Sequence, residues 1–374
     1  MTPDTRPYLI IPKLIQQPTW GGTKIIEAKG WQNLSILSNK KIGQSYELFS
    51  GTKLSLLTDT NDAKFIPEIG FPDKSDILLD EFPLKEGDDY IYLSSLNQVM
   101  PLLIKINHAR GNSFQLHIKS GVADARWKPK AESWYYFEPG YLTFGIKKGI
   151  NLDEYKETCL KIEDFMKSLS QKVKSSVLDI ETARAQADDF IKQNDPHKFV
   201  NFYESKQYEV IDPSLGGIHH SWEEDLQRYP DGNFLYEVQE DVMDPVSTIR
   251  SFDQGKIKED GTIREINIDD YFKYLDTDEA HNDVSQNKQQ KSGERVLTTA
   301  KYCMDEIALS TEREFNVGNS FEHLFVRDGG IKVVSSGIEL TLSKGFSCFI
   351  PTGVKTYKVL PTAENTVVLK TYLP

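Results

Sequence analysis

The sequence predicts a mainly β protein of sandwich or barrel type with one helical insertion, and three patterns predict it. Residues 7–150 carry short aromatic and β-branched runs, among them "KIGQSYELFS", "MPLLIKINHA", "NSFQLHIK" and "ESWYYFEPGYLTFGI". Gly, Pro, Asn and Asp clusters separate them, as turns separate strands. No strand–helix alternation runs along the chain, which argues against a parallel α/β sheet. Helical periodicity is confined to one stretch, residues 151–197.

Taken in order, residues 1–150 with 198–260 form one expected β domain. In the helical stretch, Leu152, Tyr155, Cys159, Ile162, Met166 and Leu169 recur at spacings of three and four, the stripe of an amphipathic helix. Asn151 suits its N-cap, with Glu154 three residues on. A second helix is expected from "ETARAQADDFIKQN", stopping before Pro196. Cys159 lies on the apolar stripe and reads as core. Strand character returns in "KFVNFYESKQYEVID" and "NFLYEVQEDV". Residues 261–295 read as a connecting segment whose polar part, "LDTDEAHNDVSQNKQQKSGER", has the composition of an exposed linker or mobile loop. Residues 296–374 alternate again and form a second expected β domain, with His323 its one histidine.

Composition narrows the function classes. With 44 basic against 56 acidic residues and a net charge of −12, the chain is no broad nucleic-acid binder. A local anion pocket stays open. The start "MTPDTRPYLIIPKL" lacks the pattern of a signal peptide, and no apolar run reaches the ~18 residues of a membrane span. Cys159, Cys303 and Cys348 are too few and too dispersed for a disulfide framework or a thiolate metal site. The expected setting is the cytoplasm, without membrane or nucleic-acid partners. The sequence sets no oligomeric state.

Phosphate-loop, nucleophile-elbow, HExxH and CxxC signatures are absent. What remains are strands bearing His, Glu and Gln. In "NSFQLHIK", Gln115 and His117 share a face that is either solvated or turned inward to hold something. Together with Glu132 in "KAESWYY" and His219 after "SLGG", they offer a nitrogen and oxygen donor set for one metal ion. Each also has an ordinary reading, Glu132 as an exposed strand-edge acid and His219 as a loop residue bonded to backbone. His108, His197 and His281 sit in turn-like or polar segments and are expected to be solvated. Lys105, inside the apolar run "PLLIKI", must be paired or face a pocket.

The ordered stretches "WGG" (20–22), "IGQSYE" (42–47), "PLLIKINHARGNSFQLH" (101–117), "PKAESWYY" (129–136), "GGIH" (216–219), "YEVQ" (236–239) and "TIRSFD" (248–253) resemble the type I mannose-6-phosphate isomerases, a cupin family. The resemblance runs from about residue 10 to 255 and continues weakly at "FIPTGV". It implies two cupin-like β-barrel or jelly-roll domains, the first of them catalytic. It also implies one zinc ion per chain, held by Gln115, His117, Glu132 and His219. The implied reaction interconverts mannose 6-phosphate and fructose 6-phosphate through an enediolate. Arg250 matches the family's active-site arginine, and Glu237 an acid suited to proton transfer. Lys105, Ser113 and Lys130 match positions lining the substrate pocket, with Lys130 close to the chemistry.

Three departures stand out. "IKSG" follows His117 where the family has Pro and acidic residues, Gln44 and Tyr46 replace Glu and Trp, and the Gln239–Arg250 spacing is a few residues longer. Two rival readings keep the same residues: an isomerase or epimerase of another sugar phosphate, and a non-catalytic sugar-binding or regulatory cupin. A cupin iron oxygenase fits less well, because a four-residue ligand set leaves too few open metal positions.

Overall fold

The computed structural model describes residues 3–73, 78–85, 89–96, 98–111, 113–215, 219–223 and 225–374, the side chains of residues 3, 215 and 219–222 excepted. Packing divides the chain into two units. One comprises Met1–His108, Leu235–Asp241 and Gln289–Pro374, the other Ala109–Phe234 and Val242–Lys288. These divisions fall elsewhere than the domain boundaries expected from sequence.

The first unit shows why. Its eight-stranded sheet runs Arg295–Thr298, Cys303–Leu309, Thr366–Tyr372, Glu322–Asp328, Ser347–Ile350, Tyr8–Ile11, Lys53–Ser55, Tyr90–Tyr92. A four-stranded sheet, Arg313–Asn316, Thr356–Pro361, Gly330–Ser335 and Ile338–Ser343, belongs to the same unit. Tyr8–Ile11 pairs antiparallel with Ser347–Ile350, Leu9 opposite Cys348, and on its other edge with Lys53–Ser55. All four of its residues are buried, as suits an apolar strand covered on both faces. Residues 296–374 thus share a sheet with the chain's beginning, a pairing that local patterning cannot reveal.

This unit also buries charge. Lys29 lies 2.8 Å from Glu47, both side chains fully buried, and Glu47 accepts from Ser45 at 2.6 Å and Ser347 at 2.9 Å. Ser45 and Glu47 of "IGQSYE" therefore complete a buried ion pair whose remaining acceptors are satisfied. His323 is buried, with Nδ1 3.0 Å from the Tyr236 hydroxyl, and its Nε2 meets no hydrogen-bonding partner among the described residues. Burial, with Lys29 nearby, pulls its pKa down to about 3. The unfolded chain then takes up the proton first as pH falls, so this contribution is whole above about pH 6.5 and declines below it. Unfolding free energy should fall by about 1.4 kcal/mol per pH unit between roughly 6.5 and 5 on account of His323. Denaturant titrations of wild type and His323→Phe across that window test it, the variant losing one proton's worth of slope.

In the second unit a five-stranded sheet runs Val200–Ser205, Gly140–Ile146, His219–Trp222, Phe114–Leu116, Ile249–Phe252. Helices Leu152–Lys174 and Ile180–Asn194 match the expected insertion. Asn151 caps the first, its Oδ1 accepting from the amides of Asp153 and Glu154 at 3.0 and 3.2 Å, a contact of about 1 kcal/mol. Tyr155, Cys159, Ile162, Met166 and Leu169 form the buried stripe, while Leu152 is exposed at the first turn. That stripe packs with Phe114, Leu116, Ile249 and Phe252 in one core. One sheet face is thus committed to the helices. The residues of opposite parity, Ser113, Gln115 and His117, are directed away from it.

Burial pushes the Cys159 thiol up to about 12 and the Cys348 thiol well above its usual range, and all three cysteines are buried. Native protein should be inert to a thiol reagent such as dithionitrobenzoate, with three thiols appearing only on unfolding. Fast labelling of the native state would contradict this packing.

The polar stretch after Leu275 is not a linker where it belongs to this unit. Asn282 and Asn287 are buried. Asn282 Oδ1 accepts from the Ile146 amide at 2.9 Å, and its Nδ2 donates to the carbonyls of Asp276 and Asp278 at 2.9 and 2.7 Å. The Asn287 carbonyl accepts from Asp212 N at 2.8 Å. A polar segment can be buried when its amides satisfy backbone groups, and composition does not register that. Asn282→Ala leaves the Ile146 amide without its acceptor and should cost about 2–4 kcal/mol in a urea unfolding experiment.

Candidate functional site

The histidines expected to be solvated are not. His108 is buried, its ring against Gly22 and its Nδ1 accepting from the Lys24 amide at 3.3 Å. His197 is half-buried among Phe114, Phe202 and Phe252, with Nε2 3.3 Å from Glu223. His281 is half-buried, its Nδ1 2.7 Å from Asp276. His108 and His197 meet neighbours from distant segments, which the local sequence does not show.

The second unit holds seven of the expected site residues, Ser113, Gln115, His117, Lys130, Glu132, His219 and Arg250, with Glu132 at the start of a strand in another sheet. Gln115 stands opposite His219 on one neighbouring strand and opposite Arg250 on the other. Directly paired residues share a face, so Gln115 and Arg250 lie in one row. A bulge between Arg250 and Phe252 decides how the last strand is shared. Period-2 alternation would put both residues on one face, yet Phe252 pairs with Phe114 in the core while Arg250 pairs with Gln115. The side chain of His219, like that of His220, lies outside the described residues.

Within that row Arg250 Nε donates to Ser113 Oγ at 3.1 Å, and Ser113 Oγ donates to Gln115 Oε1 at 3.1 Å. His117, just past the strand's end, is buried. Its Nδ1 donates to the Ser247 carbonyl at 2.6 Å, and its Nε2 is 3.1 Å from Glu132 Oε2. Lys130 Nζ lies 3.5 Å from Glu132 Oε2 and 3.1 Å from Asp244 Oδ1. Arg250 Nη2 is 3.5 Å from Asp244 Oδ2. Lys130 and Arg250 are 3% and 9% exposed at the side chain and are not surface cations.

Lys105 and Glu237 belong to the first unit, where they pair at 3.3 Å. Asn107 Nδ2 also donates to Glu237 Oε2 at 2.6 Å, and Gln44 Nε2 to Asn107 Oδ1 at 3.1 Å. The Gln44 that departs from the usual motif thus ends a polar row, Gln44–Asn107–Glu237–Lys105.

Sequence reasoning missed two contributors, Asp244 and the Ser247 carbonyl, both in the turn following Met243. Ser247 N and Thr248 N donate to the Asp244 carbonyl at 3.1 and 2.9 Å. The longer Gln239–Arg250 spacing was the one available signal.

The donor chemistry can be tested for a metal. Among the described residues no group of three or more His, Cys, Asp and Glu is gathered for a cation. The described donors are two such residues, His117 and Glu132, and the amide of Gln115. A carbonyl can only accept, so the Ser247 contact fixes the proton of a neutral His117 on Nδ1. Nε2 then presents a lone pair to a carboxylate oxygen. Burial, and after it the nearby Lys130, lower the His117 pKa, which disfavours resolving that contact with a second ring proton. A cation between nitrogen and carboxylate resolves it, and a carbonyl on the far nitrogen is the usual support of a metal-bound imidazole. The residues fit a divalent ion of the zinc type.

Over 98% of its length the chain is similar in structure to the putative mannosephosphate isomerase from Archaeoglobus fulgidus, at 15% identity and a TM-score of 0.60, covering 98% of that chain. The mannose 6-phosphate isomerase from Bacillus subtilis matches at 13% and 0.60, with 98% of this chain and 99% of that one covered. The enzyme from Salmonella typhimurium, solved with its substrate fructose 6-phosphate and zinc, matches at 12% and 0.62 over the same shares. The chain has their cupin-like fold. No protein-family model matches the sequence, and neither does any curated protein. The relationship to these isomerases is one of fold. Among the described residues no helix is long and apolar enough to cross a membrane.

Proposed function

We propose that the chain is a metal-dependent aldose–ketose isomerase interconverting mannose 6-phosphate and fructose 6-phosphate. The observation that carries this reading is the buried His117–Glu132 pair, which suits a cation and adjoins the cation Lys130, itself joined to Arg250 through Asp244. The fold likeness to sugar-phosphate isomerases and the motif resemblance support it.

The proposed ligands are Gln115, His117, Glu132 and His219, for one zinc ion per chain. When bound, the ion supplies positive charge that polarises sugar oxygens. The chain's own residues do the rest. The Ser247 carbonyl holds the His117 tautomer. Arg250, kept in place by Ser113, is directed at the negative charge that develops when a proton leaves the carbon next to a carbonyl. Lys130 offers a cation to an anionic oxygen of the substrate and, with Ser113, a place for the phosphate, and the motif resemblance assigns Lys105 to substrate binding. Glu237 is assigned to proton transfer between C1 and C2. The roles of Lys105 and Glu237 rest on the motif resemblance. An acidic protein in the cytoplasm with a small sugar-phosphate partner accords with this assignment.

The deciding assay supplies mannose 6-phosphate and follows fructose 6-phosphate by NMR, with protein as purified, after chelation and after zinc is restored. The expected result is turnover that chelation removes and zinc returns. Folded, zinc-loaded protein without turnover overturns the substrate assignment.

A further inference from the structure

Asp244 is a carboxylate that no motif predicted, and it stands against two buried cations. It bonds both buried cations of the site, Lys130 Nζ at 3.1 Å and Arg250 Nη2 at 3.5 Å. Its own side chain is 54% exposed, against 3% and 9% for the two cations. The carboxylate is therefore the solvent-facing member of the cluster. Thr248 Oγ1 donates to Asp244 Oδ1 at 3.1 Å, and Val246 holds the turn to the chain near Lys130 by accepting from Lys128 N at 2.7 Å. The extra residues between Gln239 and Arg250 build this turn, so the sequence's departure in spacing delivers one negative charge to two positive ones.

We propose that Asp244 is a resident anion, standing in for the anionic group of a substrate and setting how strongly Lys130 and Arg250 take up a phosphate. The proposal deepens the isomerase reading and rests on its assignment of these two cations to the substrate. A phosphate reaching them displaces the carboxylate and inherits its contacts, and apparent affinity is lowered by that competition. The device favours a substrate that brings binding energy from elsewhere, such as a sugar with its own hydroxyl contacts, over bare inorganic phosphate. Asp244 thereby acts as a specificity determinant.

The probe is inorganic phosphate, titrated into the full chain as purified and followed by phosphorus NMR, with metal content matched between variants. Asp244→Asn keeps the side chain's size and removes its charge, and it should bind phosphate about tenfold more tightly, a difference of about 1.4 kcal/mol. Raised salt should erode the gain. Asp244→Glu keeps the competing charge and should show no such gain. In Asp244→Asn combined with Arg250→Ala the gain should shrink to what Lys130 alone supplies. Near-UV circular dichroism checks folding, and Asp244→Ser carries the same expectation should Asp244→Asn fail to fold. Folded charge-removing variants that bind phosphate no more tightly than wild type overturn the proposal, and so does a gain left undiminished by the loss of Arg250. Because the readout is phosphate binding, an absence of mannose 6-phosphate turnover sinks the isomerase reading without touching this result.

Discussion

His117→Ala should strip the protein of metal and reduce turnover to background while leaving it folded. Three features converge on this side chain. It is buried, its tautomer is held by the Ser247 carbonyl, and its remaining nitrogen is 3.1 Å from the Glu132 carboxylate. Truncation removes the nitrogen donor, leaving Glu132 beside Lys130 at 3.5 Å as a plain ion pair. Groups that only support a metal ligand typically cost 10–100-fold in metal affinity, and loss of the donor itself should exceed about 100-fold. The structural penalty is smaller. One backbone carbonyl loses its donor and a small cavity opens, together about 2–4 kcal/mol, which a chain of this size tolerates. Metal analysis by plasma mass spectrometry, thermal unfolding and the isomerase assay on one preparation check all three consequences. A folded variant that retains its metal would place the ion elsewhere, and retained activity would remove the proposed centre altogether.

That the candidate site residues could be picked out in the sequence, and the contacts supporting them could not, follows from how each is encoded. Alternation in "NSFQLHIK" fixes that Gln115 and His117 share a face, and Phe114 and Leu116 in the helical core settle which one. The capping Asn151 and the helix stripe are local signals and appear where expected. The bulge that separates the faces of Arg250 and Phe252 breaks the parity rule by one residue, which no residue type announces. Ser247 acts through its backbone, so its identity carries no trace of the role. Asn282 and Asn287 misled because buried amides and solvated amides are the same letters in a sequence. Tyr8–Ile11 pairs with a strand more than three hundred residues away, and pairing at that range leaves no local mark.

Arg250→Ala should lower turnover by about 10²–10³-fold while leaving the metal in place, the range for deleting a preorganised group that meets developing negative charge. The expectation depends on where Arg250 makes its contacts. Among the described residues its guanidinium touches Ser113 and Asp244, and Ser113 in turn touches Gln115, so a hydroxyl stands between the arginine and that proposed ligand. Losing that link loosens Gln115 slightly and leaves His117 and Glu132 in their own contact. Metal affinity should therefore drop by less than about tenfold, within the cost of one lost supporting hydrogen bond. Arg250→Lys separates charge from geometry. It keeps a cation near Asp244 but lacks the Nε that donates to Ser113, and a point charge cannot reproduce the planar fork. Its turnover should fall between wild type and alanine. If zinc leaves with Arg250, the residue is a structural support of the ligand row and the enediolate role is lost. If turnover falls while zinc stays, the charge itself is what the reaction uses. Asp244 then has to be displaced before that charge meets the substrate, because the carboxylate and the developing enediolate compete for the same guanidinium.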